Sequence, residues 1–264
     1  MIDVKFRMSF SNASPTVVSA YYAFPSKFPQ SVYLESLWQF LNAISANLVL
    51  FMETEEMAAL ARKMTSKDNL RVEVLPISQW TCVQQMGQEF WKNQLAKDPE
   101  RGNHRSWQLG ALWCEKMYFV NRVMQSNPFQ STDFAWCDAG IIKGKQENVK
   151  LLKTFATRPF EKQHEFLMLQ VGPNPGTMYS KLTSHEIFLG GGILAASAMV
   201  WPWAIRAYES AIHRMVQRNE YVFKDQYVWA DAYFYIPELF FLYQPRNGYR
   251  VDGNQDWFAL LQYL

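Results

Sequence analysis

The chain has 264 residues, of which 49% are hydrophobic and 16% aromatic, so it is long enough to bury a sizeable core in one large domain. Its 26 basic and 24 acidic side chains leave a net charge of +2, with no long run of either sign. Proteins that bind nucleic acid along its phosphates need a concentrated basic face, so this composition argues against that class.

The three cysteines, Cys82, Cys114 and Cys137, show no spacing typical of a metal site or a redox motif. Each lies among apolar residues, which indicates buried free thiols in a reducing compartment. We therefore expect a cytoplasmic protein.

The first 76 residues alternate between strand and helix patterns. They predict, in order, strand Thr16–Phe24, helix Ser31–Ala46, strand Leu48–Met52, a helix from Glu55 to Lys63 and strand Leu70–Leu75. Ser31 and Thr54 are the candidate N-caps of the two helices. A β-α-β-α-β order requires a parallel sheet with right-handed crossovers.

A second helix–strand pair follows the loop-like stretch Asp98–Asn103. Helical spacing predicts a helix over about Ser106–Gln125, with Lys116 beside its apolar face. The short apolar run Phe134–Cys137 predicts a buried strand that ends at Asp138-Ala139-Gly140. A carboxylate at this end of a core strand is where open α/β sheets place ligand contacts, although an ordinary turn has the same composition.

The second half of the chain is less regular. Lys150–Thr157 fits a strand or a short helix, Phe166–Val171 fits a strand, and Glu186–Leu189 fits a strand that runs into a tight turn at Gly190–Gly192. A helix through Pro202 to about Arg218 and a helix after Asp225-Gln226 complete the pattern.

Residues 187–205 carry no charge and are long enough to span a membrane. Their three consecutive glycines and their change of periodicity favour a buried strand, a turn and the start of a helix instead. We therefore expect a single domain without a transmembrane segment.

The common dinucleotide, P-loop, zincin and α/β-hydrolase motifs are missing, and the four histidines have no metal-ligand spacing. Three features remain. Asp138–Gly140 ends the central strand, and Gly190–Gly192 is either a tight turn or a backbone that lies against a ligand. Asp225 lies in apolar surroundings, so it is either a structural hydrogen-bonding group or a catalytic group with a shifted pKa.

The order of several motifs resembles the HtrL/YibB family. The motifs are Leu112-Trp113-Cys114-Glu115-Lys116, Asn127-Pro128-Phe129 and Phe134-Ala135-Trp136-Cys137-Asp138-Ala139-Gly140, with Val17–Tyr22, Gly190–Gly192 and Asp225-Gln226 in the same order. The resemblance spans roughly residues 16–245. The family consists of bacterial proteins associated with lipopolysaccharide loci, with relatives among glycosyltransferases of the GT-A fold.

The resemblance implies an α/β fold of the GT-A, Rossmann-like type, with a mostly parallel central sheet flanked by helices. One domain would span residues 1–264, with a nucleotide-binding half over about 1–140 and an acceptor-side half over about 141–264. The implied activity is transfer of a sugar from a nucleotide-diphosphate sugar to a hydroxyl of a glycan or lipopolysaccharide-like acceptor. A GT-A-like domain that binds nucleotide sugars or glycans without transferring them is one alternative. A nucleotidyltransferase on a related Rossmann-like fold is a weaker one, because no glycine- and arginine-rich phosphate loop lies near the first strand.

The resemblance also implies roles for individual residues. The donor-binding candidates are Ala20, Tyr21, Tyr22, Lys116, Asp138, Ala139, Gly140, Gly190, Gly191, Gly192 and Gln226, with a tyrosine of the first strand stacked on the base. Lys116, together with Arg105 or Lys143, would lie near the diphosphate. Asp225 is the candidate general base, with Glu186 as its rival.

A metal is expected with the same motif. The Asp-x-Asp motif of the GT-A fold holds Mg²⁺ or Mn²⁺, but Gly140 replaces its second carboxylate here. Asp138 is therefore the expected metal ligand, or it contacts the ribose instead. The aromatic C-terminal third fits a dimer face or a contact with a membrane surface, and composition leaves the oligomeric state open.

Overall fold

The computed structural model describes residues 14–25, 27–100, 102–142, 145–175, 187–245, 248 and 257–264. Within these ranges seven strands and eight α-helices follow one another along the chain. They are β1 Thr16–Tyr21, α1 Gln30–Ala43, β2 Asn47–Met52, α2 Glu55–Met64, β3 Leu70–Val74, α3 Thr81–Met86, α4 Gln88–Ala96, α5 Trp107–Ser126, β4 Asp133–Cys137, α6 Gln146–Leu152, β5 Phe166–Gln170, β6 Leu189–Ser197, α7 Trp201–Gln217, α8 Asp225–Tyr235 and β7 Phe240–Tyr243.

All seven strands form one sheet in the order β3-β2-β1-β4-β6-β5-β7. The first four strands are parallel to one another, and β7 is parallel to β5. Only β6 runs the other way, between β4 and β5. The predicted α/β class with a mostly parallel sheet is therefore confirmed, and the arrangement is consistent with a Rossmann-like fold.

Helices cover both faces of the sheet because successive strand residues point to opposite sides. Val17 belongs to the buried cluster that includes residues of α1, α2 and α6, whereas Val18 belongs to the cluster on the other face, which includes residues of α3, α4, α5, α7 and α8. The five fully buried tryptophans in the described residues, Trp80, Trp91, Trp136, Trp201 and Trp229, all lie on the second face. That face therefore contains the bulk of the aromatic core.

Helix starts agree with the sequence where a side chain caps the helix. Thr54 accepts a hydrogen bond from the Met57 N–H at 3.3 Å, as predicted for the start of α2. Ser106 likewise accepts one from the Gln108 N–H at 3.2 Å at the start of α5. The cap predicted at Ser31 is wrong, because α1 begins one residue earlier and is preceded by Pro29.

The predicted turn at Gly190–Gly192 is wrong. These glycines belong to the antiparallel strand β6, in which Ile193 pairs with Cys137 of β4. Three glycines fit a strand here because other groups fill the space that their side chains would occupy. A Cβ on Gly192 would lie 2.5 Å from the Phe258 ring, and one on Gly190 would lie 3.1 Å from Val171.

Two other assignments can be compared with the structure. Lys150–Thr157 forms neither a strand nor one short helix, because helix α6 ends at Leu152 and turns follow. Strand β7 at the edge of the sheet was not predicted.

Among the described helices none combines the length and the hydropathy that a membrane crossing requires. Cys82, Cys114 and Cys137 are buried and free, as predicted.

Candidate functional site

A cleft of about 680 Å³ opens at the carboxyl ends of β1 and β4. These two strands are parallel neighbours, so their last residues lie at the same edge of the sheet. The cleft is lined by the end of β1 and the segment that leads into α1 (residues 20–25, 27, 28, 30 and 33), residues 103–105 before α5, one face of α5, Trp136, residues 138–140 and Phe258. Ligands of open α/β sheets bind at this edge.

Helix α5 forms one wall of the cleft. Leu109, Leu112, Trp113 and Lys116 follow one another at helical spacing and all line it. Lys116 lies among the apolar residues of this face and is buried, with 4% of its side chain exposed.

Lys116 joins two carboxylates that are distant in the sequence. Its Nζ lies 3.1 Å from Asp138 Oδ1 and 2.9 Å from Asp225 Oδ2, and it donates a hydrogen bond of 2.7 Å to the Gly191 carbonyl. An ammonium has three N–H donors, and three oxygen atoms surround this one. We call Lys116, Asp138 and Asp225 the ion triad.

The two carboxylates of the ion triad differ in exposure. Asp138 lines the cleft with 31% of its side chain exposed, and its Oδ1 also accepts a 2.7 Å hydrogen bond from Trp136 Nε1. Asp225 is only 5% exposed and lies behind Lys116, at the first residue of α8. Asp138 is therefore the member of the triad that a ligand in the cleft can reach.

Burial and charge act in opposite directions on the triad. Burial alone would lower the pKa of Lys116, but Asp138 and Asp225 more than offset it and the pKa is raised. Burial also raises the pKa of Asp225, and Lys116 opposes that shift. The ammonium therefore stays charged at neutral pH and holds both carboxyl groups in place.

The glycines of β6 complete the triad. A Cβ on Gly191 would lie 2.4 Å from Asp225 Oδ2, so only glycine leaves room for this carboxylate. Gly192 accepts a 2.9 Å hydrogen bond from the Asp138 N–H, which fixes the backbone just after β4. Gly190–Gly192 therefore support the site from behind through their backbone.

The tyrosines at the end of β1 line the cleft but are largely buried. Tyr22 donates a 2.7 Å hydrogen bond to the Leu75 carbonyl and accepts one of 3.1 Å from Trp80 Nε1. Burial is the main reason why the pKa values of Tyr21 and Tyr22 are raised. Phe28 and Trp113 also line the cleft, and both are more exposed than these tyrosines.

The predicted site residues fall into three groups. Ala20, Tyr21, Tyr22, Lys116, Asp138, Ala139 and Gly140 line the cleft, as does Arg105. Gly190–Gly192 and Asp225 lie behind its described lining, and Gln226 follows Asp225 in α8. Glu186 and Lys143 lie outside the described residues.

One pair at the cleft was missed. The His104 Nδ1 lies 2.5 Å from Oδ2 of the buried Asp98, and the His104 ring meets the edge of Trp113 at a centroid distance of 5.2 Å. The sequence predicted only a loop over Asp98–Asn103. Asp98 and His104 lie on either side of that loop just before a helix, and this placement could have indicated their contact.

The described residues do not form a divalent-metal site of their own. They contain no group of three histidine, cysteine or acidic side chains placed to hold a metal. Asp138 is the carboxylate at the cleft, and a fixed ammonium already lies 3.1 Å from its Oδ1. Mg²⁺ and Mn²⁺ prefer sites with several oxygen ligands, and a neighbouring cation repels them.

One protein-family model covers most of the chain. No curated protein matches the chain at a significant level. The model of a family described as bacterial proteins of unknown function, HtrL_YibB, matches residues 35–264, which include the ion triad and most of the cleft lining. The chain belongs to the HtrL_YibB family.

Proposed function

We propose that the protein is a glycosyltransferase of GT-A type that binds a nucleotide-diphosphate sugar in this cleft and transfers the sugar to a hydroxyl of a glycan-like acceptor. The observation that carries the proposal is Asp138, a carboxylate held by buried Lys116 at the end of β4 and open to an aromatic cleft. The β-α-β-α-β order of the first half, which is expected of a nucleotide-binding half, supports it.

The chemistry requires few groups from the protein. A C–O bond forms between the acceptor oxygen and the anomeric carbon, and the bond from that carbon to the diphosphate breaks. The nucleoside diphosphate leaves with the bonding electrons, and its phosphate oxygen takes up the proton that the acceptor hydroxyl loses. Positioning and charge stabilisation supply most of the rate enhancement in such transfers.

Within this proposal Asp138 contacts the substrate. Its Oδ1 faces Lys116 and Trp136, so Oδ2 is the oxygen left to accept hydrogen bonds from sugar or ribose hydroxyls. Asp225 has the opposite placement, since it lies buried behind Lys116. We therefore propose that Asp225 positions Lys116 and Asp138, in place of the general-base role expected from the sequence.

A second candidate function is binding without transfer. Gly140 stands where the second carboxylate of the expected metal motif would be, and Lys116 rather than a second acid lies beside Asp138. A domain that binds a nucleotide sugar in this cleft without transferring the sugar would show the same features. Turnover separates the two candidates.

The test is release of nucleoside diphosphate from a panel of UDP-, GDP- and dTDP-sugars, and of CMP from a CMP-sugar, with glycan acceptors and with Mn²⁺ or EDTA. We expect turnover with one donor class and its loss in Asp138→Asn, with circular dichroism unchanged. Asp68→Asn makes the same change at an exposed site and should keep full activity. Full activity in Asp138→Asn would refute the assigned role, and donor binding without turnover would select the second candidate.

A further inference from the structure

The charged groups of the cleft lie at two levels along helix α5. Lys116 lies near the middle of the helix, beside Asp138, and Arg105 lies just before the first residue of the helix. Lys116 follows Trp107, the first residue of α5, by nine positions, which is about 14 Å along the helix axis. A metal ion contacts its oxygen ligands at about 2.0–2.6 Å, so a metal on Asp138 and a phosphate beside Arg105 would occupy different parts of the cleft.

The part of the cleft around Lys116 is a poor place for a diphosphate. Three oxygen atoms, one in a hydrogen bond and two in ion pairs, already lie within 3.1 Å of the buried Lys116 ammonium. The ion triad contains two carboxyl groups for one ammonium, so it offers no excess positive charge to a phosphate. The expectation that Lys116 contacts the diphosphate therefore conflicts with its surroundings.

The part of the cleft around Arg105 offers positive charge on a fixed backbone. Arg105 is exposed, and Lys27 lines the same cleft from the segment after β1. The residue before Arg105 is His104, whose ring is held by Asp98 at 2.5 Å and by the edge of Trp113. These contacts of His104 therefore hold the backbone next to Arg105 in place.

The acidic side chains shortly before Arg105 in the chain, Asp98 and Glu100, have other partners. Glu100 Oε2 lies 3.7 Å from His104 Nε2, and Glu100 Oε1 accepts a 2.9 Å hydrogen bond from Lys224 Nζ. Asp98 is engaged with His104. Arg105 donates its Nε to the Gly102 carbonyl at 3.3 Å, and its fork of N–H donors suits a phosphate group.

We propose that the diphosphate of the donor binds beside Arg105 without a divalent metal, with Lys27 of the same cleft lining as a second cation, while Asp138 contacts hydroxyl groups of the donor. This inference rests on the proposed function, because it names how the same cleft takes its donor. Protein cations would then balance the charge that a metal carries in sites with two carboxylates.

Isothermal titration calorimetry of the full chain tests the inference. UDP, GDP and dTDP, each with its parent nucleoside, are titrated in EDTA and in Mn²⁺. The variants are Arg105→Gln and Lys27→Gln, with Arg206→Gln on the exposed side of α7 as the matched control. We expect one diphosphate to bind equally well in both buffers and Arg105→Gln to weaken it about tenfold or more, with nucleoside affinity unchanged.

Each other outcome has a definite meaning. Binding that requires Mn²⁺ would overturn the inference while leaving nucleotide-sugar binding intact. Equal loss of diphosphate and nucleoside affinity in Arg105→Gln, or no loss relative to Arg206→Gln, would overturn the assignment of Arg105. No binding of any nucleoside diphosphate in either buffer would overturn the inference and the proposed function together.

Discussion

At the scale of single residues, the buried ammonium of Lys116 determines how the cleft is charged. It lies within 3.1 Å of a carboxylate from the end of β4 and of another from the start of α8. Both carboxylates are costly to bury without a partner, so the lysine has a structural role whatever ligand the cleft takes. That role can be measured without a substrate.

Lys116→Met should destabilise the fold by about 3–5 kcal/mol, because it leaves two buried or half-buried carboxylates without their cation. Urea denaturation measures the change. Lys92→Met removes an exposed lysine that pairs with Glu89 at 2.7 Å and should cost less than about 1 kcal/mol. Adding Asp225→Asn to Lys116→Met should recover part of the loss. Similar losses for Lys116→Met and Lys92→Met would contradict this role.

Gly191→Ala tests the packing between β6 and Asp225. The new Cβ would lie 2.4 Å from Asp225 Oδ2, and Lys116 holds that carboxylate in place, so we expect a loss of about 1–3 kcal/mol in the free energy of unfolding. Gly102→Ala is the control, because a Cβ there meets nothing within 4 Å. The packing argument fails if both variants melt at the same temperature.

Glu115 makes stability depend on pH. Burial raises its pKa to about 7 from an ordinary 4.5, although it accepts hydrogen bonds from the Thr81 and Cys82 N–H groups. The folded protein therefore keeps a proton that the unfolded chain releases. The stability linked to Glu115 is fully present below about pH 4.5 and is lost as the pH rises through about 7, at roughly 1.4 kcal/mol per unit of pKa difference.

Glu115→Gln removes this titration. Urea denaturation between pH 4.5 and pH 8 should show that the stability of the wild type relative to the variant falls as the pH rises. Other titrating groups are common to both proteins and cancel in the difference. A difference that stays constant over the whole pH range would show that Glu115 does not titrate in this window.

At the scale of elements, α7 and α8 are joined by a group of ion pairs. Arg214 donates to Asp231 Oδ2 through two nitrogens, at 2.9 and 2.6 Å, and Arg218 donates to Oδ1 at 2.6 Å. Helix α8 begins at Asp225, so the docking of α8 also places one carboxylate of the ion triad. The junction between these helices therefore supports the cleft from a distance.

Asp231→Asn should cost about 1–3 kcal/mol, because it leaves the two arginines without their shared buried carboxylate. Glu220→Gln removes only the partner that Arg218 has near the surface and should cost less than about 1 kcal/mol. Thermal unfolding of both variants measures the difference. An equal or smaller effect in Asp231→Asn would argue against this junction.

The elements of the first half were predictable because local signals agreed. β-Branched runs, helical spacing and the Thr54 cap indicate β1, α1, β2, α2 and β3 without tertiary information. The glycine-rich start of β6 was not predictable as a strand, because a glycine run in isolation is typical of a turn. Its strand conformation depends on Asp225 and Phe258, which fill the missing side-chain space and come from distant parts of the chain.

At the scale of the whole molecule, the sequence placed several candidate residues correctly at one sheet edge but did not predict their contacts. Asp138 and the end of β1 share the cleft because β1 and β4 are parallel neighbours. The ion pair between Lys116 and Asp225 requires the antiparallel insertion of β6 and the docking of α8, which no local pattern encodes. The contact of Asp98 with His104 depends equally on how a loop folds back on the core.

Whether this cleft binds a nucleotide sugar through Asp138 can be measured by a thermal-shift screen of the wild type and Asp138→Asn. UDP-, GDP-, CMP- and dTDP-sugars are compared, each with Mn²⁺ and with EDTA. A ligand at about one hundred times its dissociation constant adds roughly 2.7 kcal/mol of stability. We predict that one donor class raises the melting temperature of the wild type, with or without Mn²⁺, and that this shift is lost in Asp138→Asn. A wild type that responds to none of the donors, or a variant that responds as strongly as the wild type, would contradict the claim.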